Sequence, residues 1–166
     1  NPVIFYRTVE QFIGSPDNAL LGLNASLNIK KRIQLYGQLM LDEFNLGLFK
    51  QDGWWGNKYG IQIGGKYFNA FGIDQLDLMA EYNLVRPYTY SHNKPLDRPL
   101  SLSSYTNYNL PLAHPLGANF KEVIGNVKYN GINKLILEGT VALIKTGRNI
   151  DTLNYGQDIL LNNTTR

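Results

Sequence analysis

Between Ala19 and Ile29 every odd position is apolar (Ala19, Leu21, Leu23, Ala25, Leu27, Ile29), whereas the even positions read Leu20, Gly22, Asn24, Ser26 and Asn28. A period of two puts successive side chains on opposite faces of an extended chain, so this segment is expected to be a strand with one dry face. The same period returns four more times, less cleanly in the last, where Ile136 and Ala142 fall in the polar series. It pairs Ile33, Leu35, Gly37, Leu39, Leu41 against Gln34, Tyr36, Gln38, Met40, Asp42, and Tyr59, Ile61, Ile63, Gly65, Tyr67 against Lys58, Gly60, Gln62, Gly64, Lys66. Further along it sets Leu76, Leu78, Ala80, Tyr82, Leu84 against Gln75, Asp77, Met79, Glu81, Asn83, and Leu135, Leu137, Gly139, Val141, Leu143 against Lys134, Ile136, Glu138, Thr140, Ala142. Val123, Gly125, Val127 and Tyr129 show it less sharply, and a first strand near Val3 to Ile13 is expected as well. No comparable window places apolar residues at i, i+3, i+4 and i+7, so the expected class is all-β.

Alternation alone describes a water-soluble sheet equally well. Strand length and connection length separate the two cases. The alternating segments run about ten residues, against a usual five or six in soluble sheets and roughly nine to eleven for a tilted strand crossing an outer membrane. The expected connections are 30–32, 45–57, 69–74, 86–118, 130–133 and 146 onward, alternately short and long. Tight turns at one end and large loops at the other are the rhythm of an antiparallel transmembrane barrel of the bacterial outer membrane. Tyr59 and Tyr67 bracket Ile61 and Ile63 on one face, roughly 20 Å apart along the membrane normal, near the separation of two aromatic girdles. Six or seven strands fall short of the minimum of about eight. Residues 1–166 are therefore expected to be part of a single barrel domain, an internal portion of a larger barrel.

Composition narrows the chemistry. Sixteen Lys plus Arg against thirteen Asp plus Glu leave a net charge of +3, too scattered for a nucleic-acid footprint. The absence of cysteine excludes disulfides, thiolate catalysis and thiolate metal sites. The longest apolar run, Ala19 to Leu23, is far below the roughly 20 residues of a membrane-crossing helix. Asp42 with Glu43 and Asp74 with Asp77 are carboxylate pairs only in sequence, since neighbours on a strand face opposite sides. No nucleophile elbow, phosphate loop or His-Glu-X-X-His motif occurs, so neither an enzyme nor a cofactor is expected. His92 and His114, twenty-two residues apart, form no metal-ligand spacing.

The long connections carry the candidate binding residues. Trp54 and Trp55 beside Gly53 and Gly56 are anchors at headgroup level or a platform stacking on a sugar ring. In 86–118, Arg86, Tyr88, Tyr90, His92 and His114 stand among amides and hydroxyls such as Asn107 and Thr106, a mixture suited to polysaccharide. The same loop is equally expected to fold inward and plug the lumen, and the two roles are compatible.

Four segments, in order, look like the capsule-assembly Wzi-like outer-membrane barrels of Bacteroidetes, some of which are associated with gliding motility. They are Tyr36-Gly-Gln-Leu-Met-Leu-Asp-Glu-Phe44, Gly53-Trp-Trp-Gly-Asn-Lys-Tyr-Gly60, Glu81-Tyr-Asn-Leu-Val-Arg-Pro-Tyr-Thr-Tyr-Ser-His92 and Pro111-Leu-Ala-His-Pro-Leu-Gly-Ala-Asn-Phe120. The resemblance runs over nearly the whole chain and would cover the later part of a full-length member. It implies a non-enzymatic outer-membrane protein in contact with lipid and lipopolysaccharide that binds or organises surface polysaccharide, or supports gliding and adhesion with other envelope proteins. A passive diffusion channel and a structural subunit of an envelope complex are the alternatives. Asp151-Thr152-Leu153 is similar to the acceptor of Bacteroidetes O-glycosylation.

Overall fold

The computed structural model describes residues 20–42, 57–92, 104–150 and 154–161. The expected strand near Val3 to Ile13 lies outside them. In chain order the strands are β1 (Leu21–Ile29), β2 (Ile33–Leu41), β3 (Tyr59–Tyr67), β4 (Leu76–Val85), the short β5 (Thr106–Asn107) and β6 (Leu110–Pro111), β7 (Phe120–Ile132) and β8 (Leu135–Thr146). Six of them form one antiparallel sheet in the order β1-β2-β3-β4-β7-β8, and β5 pairs with β6 alone. The only helical piece among the described residues is a 3₁₀ turn at Ala70–Gly72. The described residues are all-β, and each strand of the six-stranded sheet pairs with the next strand of that sheet along the chain, the β5–β6 pair lying between β4 and β7 in sequence.

Register aligns the alternation across the whole sheet. One row reads Ala25, Gly37, Ile63, Tyr82, Val123 and Leu143, and the next reads Leu27, Leu35, Gly65, Ala80, Gly125 and Val141. The opposite face carries rows such as Asn24, Gln38, Gln62, Asn83 and Glu122. The apolar face is bare: Leu23 is 59%, Ile63 60%, Val141 66% and Leu143 68% exposed.

The tight connections obey turn chemistry. Lys30 and Lys31 take the left-handed conformation between β1 and β2 (φ 47 and 56), closed by Arg32 N–H donating to Ile29 O at 3.1 Å. Between β7 and β8 the expected turn over 130–133 contracts to residues 133 and 134, because β7 continues to Ile132 past an irregularity after Tyr129. Between β3 and β4, Asn69 is left-handed and its Oδ1 accepts from Gln75 N at 2.7 Å. Tyr67 meets Phe71 edge-on at 5.7 Å at this end of the apolar face.

The connection 86–118 carries structure of its own. Tyr108 and Asn109, both at positive φ, turn β5 into β6. The described parts of this connection and residues 154–161 fold over the polar face at the long-loop end. There Val85, Tyr90, Ala118, Phe120 and Ile159 form a small buried core, with Met40, Tyr105 and Leu116 packed against it. Met40, Val85 and Phe120 lie in one polar-face row of β2, β4 and β7, with Gly60 of β3 between Met40 and Val85, and at this end the row turns from polar to apolar.

Candidate functional site beneath the long loops

The even series of β2 ends at Asp42, whose carboxylate receives the loop. Its Oδ2 accepts from Tyr90 N–H at 2.8 Å, and its Oδ1 pairs with His92 Nε2 at 3.1 Å. Beside it the buried Lys58 Nζ donates to Ser91 O at 2.7 Å. Two charged strand ends thus grip consecutive backbone and side-chain groups of residues 90–92. Tyr88 and Tyr90 both stand at positive φ (64 and 72), where a side chain costs on the order of 1 kcal/mol, so the clamp over-determines an unfavourable backbone. Burial, then the negative charge of Asp42 and the electrostatic influence of the neighbouring Tyr105 phenol, push the Tyr90 phenol up to about 12.

A second chain of polar groups crosses the sheet below. Tyr36 OH donates to Glu81 Oε2 at 2.6 Å, and Asn83 Nδ2 donates to Glu81 Oε1 at 2.8 Å and to Glu122 Oε2 at 3.1 Å. Glu122 Oε2 in turn meets His114 Nε2 at 3.2 Å. His114 Nδ1 accepts from Leu116 N–H at 3.2 Å, which places the proton of a neutral ring on Nε2, facing the carboxylate. Its ring lies 4.5 Å from that of Phe120. Two glycines of β3 make room for this arrangement: a methyl at Gly64 would run into the Tyr36 ring, and one at Gly60 would come within 2.8 Å of Tyr90 OH.

Between the two networks opens a pocket of about 230 Å³ whose lining includes Gln38, Gln62, Asn83, Tyr90, Tyr105, His114 and Phe120. Amide donors and acceptors set between aromatic rings match a sugar, which offers an apolar ring face and a rim of hydroxyls. The volume is below the roughly 300 Å³ at which small-molecule sites begin, so it takes one ring-sized group, not a buried oligomer.

Of the expected site residues, Tyr90 and His114 line this pocket, and His92 lies in the clamp that shapes it. Tyr88 is buried and donates to Asn154 O at 2.5 Å, holding residues 154–156 against the loop. Arg86 goes elsewhere: its guanidinium stands 5.5 Å over the ring of Tyr59, on the apolar-face side of the sheet. Trp54, Trp55 and Asp151-Thr152-Leu153 lie outside the described residues. Gln38, Gln62 and Asn83 were legible as polar-face residues by alternation, but Asp42 and Glu122 as partners of the two histidines were not. The available signal was that each continues the polar series of its strand to the loop end.

Among the described residues no group of three or more His, Asp or Glu could hold a metal ion. No helix of the described residues is long and apolar enough to cross a membrane, which says nothing about strands. Compared with protein-family models, curated proteins and solved structures, the chain matches none.

Proposed function

We propose that this sheet is a wall segment of an outer-membrane β-barrel that holds surface polysaccharide at its long-loop end, without transforming it. One observation carries the reading: described residues of 86–118 and 154–161 cover the polar face, and the apolar face, six strands wide, is left uncovered by any described segment. A sheet folding in water gains by the reverse arrangement, burying its apolar face under its own connections. Lipid is the solvent that makes a bare apolar face favourable, and a barrel interior tolerates polar rows such as Gln38, Gln62 and Asn83. The proposal requires a further strand beside β1 and another beside β8, because open edges inside hydrocarbon leave backbone groups unpaired. The aromatic and amide pocket under the loops then faces the cell exterior, where capsule or exopolysaccharide chains, and the gliding or adhesion components that use them, are encountered. This is also the role implied by the resemblance to Wzi-like barrels.

The test replaces Tyr105 and His114 together by Ala, which removes a stacking ring and a polar contact while leaving the Asp42 clamp intact. Polysaccharide retention on cells carrying the full-length protein is expected to fall about tenfold, with unchanged amounts of protein in the outer membrane. Unchanged retention overturns the assignment of the pocket.

A further inference from the structure

We infer that the margin of the apolar face, at the long-loop end of β4, β7 and β8, receives the phosphate group of an anionic lipid headgroup. This rests on the lipid-facing reading of that face and assigns it a specific ligand class.

The row that runs Leu23, Leu39, Ile61, Leu84 ends in Lys121 and Lys145, which face each other directly across β7 and β8. Like charges placed opposite one another on an antiparallel pair repel and destabilise the sheet. Both lysines are exposed, and the ion pairs of the described residues include neither. An arrangement with a built-in repulsion on an otherwise apolar face is relieved by an anion placed between the two ammonium groups. One step beyond Leu84, Arg86 borders the same margin, its guanidinium 5.5 Å over the ring of Tyr59. These groups line a groove of about 430 Å³ along with Leu84 and Pro87, and among the described residues its lining contains no carboxylate.

The position selects the ligand. Below the cations the strand faces are Leu, Ile, Val and Tyr; beyond them the chain turns into loops. Lysine stems can lie along the apolar surface while their ammonium groups reach the headgroup layer. A free phosphate ion would gain nothing from the apolar floor of Leu84 and Tyr59, whereas a phosphorylated lipid fills both parts.

The experiment uses full-length protein extracted from membranes in neutral detergent and titrated, by native mass spectrometry, with lipid A bearing phosphates or with phosphatidylcholine. Wild-type protein is expected to prefer lipid A. The Lys121→Gln/Lys145→Gln variant should lose about 30-fold of that preference, the value of two basic groups at a lipid surface, and Lys121→Arg/Lys145→Arg should keep it. Undiminished preference in the Gln variant, with the protein still recovered from membranes, overturns this site alone. Displacement of bound lipid A by inorganic phosphate overturns the lipid assignment in favour of a free anion. Recovery of wild-type protein in the aqueous fraction overturns the lipid-facing reading itself.

Discussion

Asp42 shows how much a single side chain decides here. Its two oxygens hold Tyr90 N–H and His92, and its charge stands second only to burial in raising the Tyr90 phenol from 10.0 to about 12. The sign follows from the neutral form being favoured in the folded state: the contribution to stability is complete below pH 10 and is lost as pH rises through about 12. Asp42→Asn should therefore lower the pH at which this phenol ionises, yet leave it above 10, because burial remains. Phenolate absorbance against pH, taken as the difference between each protein and its Tyr90→Phe counterpart, isolates this group and checks this; an unmoved difference curve would show that Asp42 does not act on Tyr90. At this scale the sequence was informative about residue type and silent about pairing. Tyr90, His92 and His114 were recognisable as binding chemistry, but their carboxylate partners lie 48, 50 and 8 residues away in the chain, joined only by the fold.

At the scale of elements, alternation located all six strands of the sheet within a few residues, because a strand with one dry face must repeat with period two. The turn between β7 and β8, expected over 130–133, lies instead at residues 133 and 134, because β7 runs on to Ile132. The alternation of these two strands is diluted by Gly125 and Gly139. Which solvent touches the apolar face is testable strand by strand. On β3, Ile63→Arg should destabilise the full-length protein in vesicles by about 2–4 kcal/mol, the cost of a cation on a lipid-facing strand near the midplane. Ser26→Arg, on the opposite face of β1, should stay within about 0.5 kcal/mol. Denaturant unfolding in vesicles measures both, and equal tolerance at the two positions would argue for water on both faces.

For the whole molecule, the decisive relation is between loops and sheet. Described residues of the 86–118 connection and of 154–161 cap the polar face through Tyr90, Ala118 and Ile159, packed with Val85 and Phe120 of the sheet, so the proposed barrel is expected to be nearly silent in a planar bilayer. Deleting residues 104–116 from the full-length protein should raise single-channel conductance, and a high conductance before deletion would favour the diffusion-channel alternative instead. By itself the sequence determined the all-β class, the strand positions and which side chains share a face, since these depend on local period and turn chemistry. Only the tertiary structure decided that the described parts of 86–118 and residues 154–161 close over the polar side, that Arg86 leaves the other candidates for the apolar margin, and that Asp42 and Glu122 receive the histidines. Those outcomes depend on register between strands and on where a long connection finds apolar partners, and neither is written in the spacing of neighbouring residues.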